Sequence, residues 1–403
     1  MRILWILPYL PWPTASGGKT RQYHLLRTLA ARGHRITLLV QSKQALDDEA
    51  RQALEPLLEQ LIVLPRRGLR HPLTLATALV GPWPLLTCVN GLAPELEQRF
   101  AELLQQPWDI VQVEHSYSFQ PYAKALKNIG QPFLLTEHNL ESSLGGATYS
   151  RFPGWLAPFV RFDQWRARRW ERRVFDAAAR VVAVTESDAQ AMRQLTKTPV
   201  SVVVNGVDCR GFASVQRAAQ SQRILFVGNY EYPPNVDAVC WALDEIMPRL
   251  WQQCPQARFA VAGYAMPADW AQRWPDARIE WHGFVDDLRT LQAESSLFLA
   301  PLRQGGGSKL KVLEALAAGL PLVSTSQGAS GLQLRDDHDY RLGEDAQALA
   351  AALHELLDDT AMANRLATSG RLYANQQHDW QAAASQLEEV YRHMTDKEHR
   401  ACA

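Results

Sequence analysis

The sequence predicts an α/β protein built as two Rossmann-like domains, each a parallel sheet with helices on both faces. Three observations carry that prediction. Short apolar runs alternate with helical patterns from end to end, the order that gives parallel strands joined by crossover helices. The alternation comes in two blocks, separated by the polar, strand-poor stretch Asn205 to Gln222. The chain has 403 residues, long for one domain and comfortable for two.

In the first block the strand-like runs are Ile3 to Leu7, Ile36 to Val40, Leu61 to Leu64, Ile110 to Val113, Phe133 to Thr136, Val181 to Val184 and Val200 to Val204. They are near-continuously apolar, as strands buried on both faces must be. Between the first two lies a helix, Thr20 to Arg32, closed by Gly33-His34, a good stop signal. The second block restarts with Ile224 to Val227, Arg258 to Ala262, Ile279 to Trp281, Leu297 to Ala300 and Pro321 to Ser324. Trp380, Ala384, Leu387, Val390, Tyr391 and Met394 form one stripe of a final helix. The expected domains are residues 1–205 and 206–379, with 380–403 as the terminal helix.

Basic and acidic residues balance at 42 each, so the net charge points to no nucleic-acid partner. The five cysteines are widely spaced and odd in number. They fit neither a disulfide framework nor a metal motif and favour a reducing cytoplasm. Met1 to Leu7 is too short for a secretory apolar core and is broken by Pro8. No apolar run reaches the length of a spanning helix. The expected place is the cytoplasm, free or against the inner face of the membrane.

Chemistry concentrates where strands end. After Leu297 to Ala300 come Gly305, Gly306 and Gly307, then Ser308 opening an amphipathic helix with Lys309, Lys311 and Glu314. A glycine-rich loop feeding a helix N-terminus makes an anion site, and Glu314, under two turns on, suits sugar hydroxyls. Phosphate plus polyol suggests a nucleotide sugar. The first strand ends in a loop with Gly17, Gly18, Lys19 and Arg21. Its Gly-Lys-Thr is no phosphate-binding P-loop, because the glycine that motif needs is Pro13. The two glycines let backbone approach a substrate, and Lys19 or Arg21 would meet negative charge. Thr136-Glu137-His138-Asn139 and Glu114-His115 follow two further strands, at the edge where α/β folds bind ligands. Neither pair has metal-motif spacing, and Asp337-His338-Asp339 reads as a charged loop. In the segment 150 to 179, Trp155, Phe159, Phe162, Trp165 and Trp170 accompany six arginines between Arg161 and Arg173. That pattern fits an anionic membrane surface or a domain-packing helix with snorkelling arginines.

The series Glu314, Ala315, Ala318, Gly319, Pro321 and Val323 resembles the donor-site signature of family 4 retaining glycosyltransferases, and the GGGSKLKVLEALA variant resembles their bacterial surface-polysaccharide members. The resemblance implies the GT-B arrangement, two Rossmann-like domains facing across a cleft, with the last helix crossing back to the first. It implies that Glu314 holds the donor ribose and His138 lies close to the transferred sugar. His115 is the runner-up. Gly17, Gly18 and Gly228 would line the donor, and backbone near Phe284 and Val285 would meet the base. The chain departs from the family twice. Gly306 stands where a first glutamate holds the sugar. Asn229 and Tyr230 follow Gly228 where an arginine and then a lysine are common, so Lys311 would supply the charge. The implied activity is transfer of a hexose from a nucleotide diphosphate sugar to a glycan or lipid-linked acceptor, with no metal or other cofactor. A GT-B epimerase or phosphorylase, or a non-catalytic glycan- or nucleotide-sugar-binding protein, are the alternatives.

Overall fold

The computed structural model describes the chain except for residues 15, 44, 69–70, 141, 143–153, 306–308 and 402–403, and the side chains of 397–401. The chain divides into two compact units: Met1–Val204 with Ala383–Ala403, and Asn205–Ala382.

Unit 1 holds β1 (Arg2–Leu7), β2 (Arg35–Ser42), β3 (Gln60–Pro65), β4 (Ile110–Glu114), β5 (Leu134–Glu137), β6 (Arg180–Ala183) and β7 (Val200–Val202). All are parallel, in the order β3-β2-β1-β4-β5-β6-β7. The chain leaves β1 to one side and returns on the other at β4, so the order reverses between them. Crossovers diverge at such a point and leave a crevice beyond the carboxyl ends of the strands. Every residue of β4 and β5 is buried.

Three helices of this unit bear on its chemistry and its surface: α1 (Gly17–Ala31), α2 (Pro72–Val80) and α3 (Ala157–Ala177). Helix α1 begins three residues before the apolar pattern suggests. Gly17 and Gly18 form its first turn rather than a loop, behind Ser16 at the N-cap. It stops as expected, with Gly33 at φ +84° and its N–H bonded to Ala30 O at 2.9 Å. A side chain would resist that left-handed conformation.

Unit 2 holds β8 (Arg223–Val227), β9 (Arg258–Ala262), β10 (Ile279–Gly283), β11 (Leu297–Ala300), β12 (Leu322–Ser324) and β13 (Arg341–Leu342). Their order is β10-β9-β8-β11-β12-β13, which places the reversal between β8 and β11. Its helices α4 (Pro233–Trp241), α5 (Leu288–Glu294) and α6 (Leu310–Ala317) flank that point. The last helix, α7 (Trp380–Ala401), packs in unit 1 over most of its length. There Glu388 accepts from Arg32 at 2.7 Å and lies 2.9 Å from His34.

Candidate functional site

At the unit 1 reversal, β1, β4 and β5 bring Glu114, His115, Glu137 and His138 together beneath the first turn of α1. Glu114 is fully buried and ringed by neutral donors. Trp5 Nε1 donates to Oε1 at 2.9 Å, Gln112 Nε2 to Oε1 at 2.5 Å and Gln22 Nε2 to Oε2 at 2.6 Å. Burial alone would push this carboxyl up. The hydrogen bonds from His138 and Gln112 outweigh it and hold the group below the ordinary glutamate range.

His138 Nε2 lies 3.3 Å from Glu114 Oε2 and 3.1 Å from Gln22 Nε2. Its other nitrogen, Nδ1, is on the side of Gly18, 3.4 Å from where a Cβ on that glycine would sit. Burial, helped by neighbouring His115 and opposed by Glu114, pushes the imidazole down to about 4. His138 is therefore neutral at physiological pH, and the neutral donors around Glu114 keep the carboxylate ionised beside it. The ring is held by the unit through Nε2, which leaves Nδ1 to address whatever passes Gly18.

His115 sits on the turn after β4 at φ +66°, a strained conformation for a non-glycine residue that recurs at ligand-binding turns. Its Nε2 is 3.2 Å from Tyr9 Oη, and its ring lies 4.5 Å from that of His138. Glu137 accepts from Ser116 N at 2.6 Å, yet burial pushes it up to about 8, so it carries its proton at neutral pH. Lys19 is half-buried, and burial lowers its pKa. Arg21 turns inward: it is buried and donates to Val204 O at 2.8 Å.

At the unit 2 reversal, Gly228 directly follows β8. Its N–H stays in the ladder, bonded to Ala262 O at 3.0 Å, so its contribution is space. A Cβ there would lie 3.1 Å from Asn235. Gly263 is more constrained still, at φ +138°, and its Cβ would fall 1.7 Å from Gly228 O. Asn235, on the first turn of α4, donates to Asn229 O at 2.7 Å and accepts from Lys311 Nζ at 2.5 Å. The Lys311 ammonium also lies 4.5 Å over the Phe226 ring.

Lys309 caps α6 and donates to Gly305 O at 3.1 Å. Burial lowers Lys311 to about 7, with Lys309 adding and Glu314 opposing. Burial likewise raises Glu314 to about 7 against the attraction of Lys311. Both side chains keep part of their surface open to solvent. Helix α6 ends with Gly319 at φ +71° and Leu320 N bonded to Ala315 O at 2.9 Å, the left-handed cap that the Ala-Gly-x-Pro series requires.

Other residues singled out in the sequence take structural roles or lie apart from these pockets. Gly306, Gly307 and Ser308 lie outside the described residues, and described α6 starts at Leu310. Phe284, on the turn after β10, is 65% exposed and meets Tyr264 edge-on, while Val285 packs inward. Asp287 caps α5 by accepting from Arg289 N at 3.0 Å. Asp339 lies 2.7 Å from His338 Nδ1 and accepts from Ser369 at 2.6 Å. Among the described residues no group of His, Cys, Asp and Glu is placed to hold a metal ion. Sequence reasoning missed Gln22 and Asn235. Each is a single amide in a helical pattern, placed by the fold against a strand end, and the sequence carries no local signal for it.

Two parallel sheets, each with charged residues gathered at its reversal, form an α/β ligand-binding frame, and the comparisons give its class. Residues 15–210 match Glycosyltransferase Family 4, and residues 221–359 match Glycosyl transferases group 1. The chain belongs to these glycosyltransferases. It is 25% identical over 412 aligned residues to the glycogen synthase of Mycobacterium tuberculosis, covering 97% of this chain and 94% of that one. The sucrose-phosphate synthase of Thermosynechococcus elongatus superposes with a TM-score of 0.69 at 17% identity, covering 98% of this chain and all of the other. Anabaena HepE in complex with UDP and glucose does so at 0.66 and 16% identity, covering 96% and 98%. The GT-B glycosyltransferase fold is thus that of this chain.

Proposed function

We propose that unit 2 takes a nucleotide diphosphate sugar at its reversal, that unit 1 takes the acceptor, and that a hexose passes to a glycan or lipid-linked acceptor with retention of configuration. The observation that carries this reading is the Lys311–Asn235 contact at 2.5 Å. It seats an ammonium at the end of β8, where Asn229 and Tyr230 bring no charge. A departing diphosphate needs a cation at its oxygens. Burial lowers Lys311 to about 7, and an incoming diphosphate stabilises its charged form. Glu314, one turn along α6, is placed for the ribose hydroxyls.

No second carboxylate stands in line as a nucleophile among the described residues of this site. The proposed route is a same-face displacement. The bond from the anomeric carbon to the diphosphate oxygen breaks, the acceptor oxygen bonds to that carbon, and the acceptor proton passes to the diphosphate. In this reading His138 Nδ1 steadies the sugar, and Lys311 does the electrostatic work without a metal or other cofactor. UDP-glucose is the first donor to try, since the Anabaena protein of like fold holds UDP and glucose. A cytoplasmic setting accords with the free cysteines Cys88, Cys209, Cys240 and Cys254.

The test is a thermal-shift panel of UDP, GDP, ADP and TDP, with and without magnesium, on wild type and Glu314→Ala. A ligand at about 100 times its dissociation constant adds roughly 2.7 kcal/mol, a shift of a few degrees. One nucleotide should move wild type, independently of magnesium, and fail to move the variant. No shift from any of the four would overturn the donor assignment.

A further inference from the structure

Unit 1 carries a feature that the transfer reaction leaves unused. Residues 71–94 contain no Asp, Glu, Lys or Arg, and they include α2, which turns large apolar side chains to solvent. Leu79 is 74% and Val80 86% exposed, with Leu73 and Leu75 about half exposed. On α3 and the turn before it, Trp155 is 77% exposed, and Phe162 and Trp165 are also open. A cluster of this kind on a folded surface marks an interaction site.

The two helices are fastened together from inside. Asp163 and Arg166 on α3 are buried and paired. Arg166 Nη1 donates to Ala78 O at 2.6 Å and Gly81 O at 2.9 Å, and Asp163 accepts from Leu85 N at 3.2 Å. The end of α2 is thus held against α3. The same guanidinium covers the Phe162 ring at 4.9 Å, and Phe162 stacks on Trp165 at 5.9 Å. Leu79 and Val80 therefore belong to one patch with Phe162 and Trp165. The membrane-facing alternative groups Trp155, Phe159, Phe162, Trp165 and Trp170 with the six arginines between Arg161 and Arg173. The structure removes Trp170 and Arg166, which are buried, and adds α2. Arg161, Arg168, Arg169, Arg172 and Arg173 stay exposed, with Asp176 the one exposed carboxylate of α3.

We infer that the α2–α3 face docks on an anionic lipid bilayer. Leu79, Val80, Trp155 and Trp165 enter the boundary between headgroups and acyl chains, and the exposed arginines meet lipid phosphates. Charge complementarity selects this occupant: five exposed cations flank an apolar end that has no charge of its own. No helix among the described residues is long and apolar enough to cross a membrane, so the attachment is peripheral. It stands apart from the donor assignment, because its test reads no turnover.

The test is co-sedimentation of the full chain with vesicles of phosphatidylcholine alone and of phosphatidylcholine mixed with phosphatidylglycerol. Wild type should pellet with the anionic vesicles and be released by salt. Arg168→Ala with Arg169→Ala should weaken partitioning about 25-fold, at about fivefold per arginine. Leu79→Asp with Val80→Asp should weaken it tenfold or more, with a melting temperature like wild type. Quenching of wild-type tryptophan fluorescence by brominated lipid reads insertion without any variant. A wild type that stays in the supernatant, shows no quenching, or binds unchanged after the α2 substitutions overturns the inference. So does a wild-type dimer in sedimentation velocity that the α2 variant dissolves, since a second copy would then cover the face.

Discussion

The two reversals share one topology and hold opposite chemistry. In unit 1 a buried carboxylate is satisfied by Trp5, Gln22 and Gln112 and lies against a neutral histidine. In unit 2 a lysine rests on one amide oxygen and one ring. The first is a buried carboxylate held by neutral donors on three sides. The second is a charge held short of its partner. Topology determines where a parallel sheet opens. The side chains at the strand ends and on the adjoining helices decide whether that opening is made to position a ligand or to attract one.

The largest effect that would break this pairing is steric. Gly263→Ala drives a Cβ into Gly228 O at a φ that side chains resist, and should cost unit 2 about 3 kcal/mol. Hydrogen exchange should report weakened protection in β8 and β9 with β1 and β4 unchanged. Equal loss in both units would mean that they do not behave as separate folding units. Next is charge. Lys311→Met should weaken nucleotide diphosphate binding roughly tenfold to a hundredfold, the worth of a charge-assisted hydrogen bond. His138→Ala should leave that affinity within about twofold while slowing transfer. Calorimetric titration separates the two, and equal losses would erase the contrast.

A third test uses pH. Lys311 titrates near 7 in the folded chain against an ordinary 10.5, so between those values the unfolded chain binds the extra proton. Stability should then rise with pH across that window, while anion affinity falls by up to about tenfold per unit above 7. Titration in two buffers of different ionisation enthalpy should show proton uptake on binding that Lys311→Met abolishes. The smallest effect belongs to unit 1. Glu137, raised to about 8, gives stability that is complete below its ordinary 4.5 and is lost as pH rises through 8. His138, lowered to about 4, gives stability present above 6.5 and lost as pH falls through 4. Their slopes oppose between 4.5 and 6.5, and Lys311 opposes Glu137 above 7, so in a Lys311→Met background Glu137→Gln should flatten urea-melt stability most clearly between 6.5 and 8. An unaltered slope would show that Glu137 is not the group responsible.

The architecture was legible because each buried strand is a compact apolar run. Leu61 to Leu64 lies within β3 and Ile224 to Val227 within β8. The two-residue β13 left no such run. Lys311 and Glu314 were legible as residues following a glycine-rich turn, whereas Gln22 and Asn235 were not. A single amide inside a helical pattern has no local signature, and its meaning comes from the strand end it abuts, far away in sequence. On α3 the face of Asp163, Arg166, Trp170 and Val174 is buried with its two charges paired inside unit 1, as the domain-packing alternative for that helix has it.

The C-terminal helix also ties the unit 1 pocket to the order of synthesis. Tyr391 Oη donates to Gln112 Oε1 at 2.5 Å, and Gln112 in turn holds Glu114. The network around His138 therefore gains a member that is translated only after the whole of unit 2. At about 5–20 residues per second, the ribosome needs roughly 10 to 40 s to make the whole of unit 2 before α7 exists. During that interval the Gln112 side-chain carbonyl in the first unit lacks its tyrosine donor, and termination between Val204 and Tyr391 leaves it so.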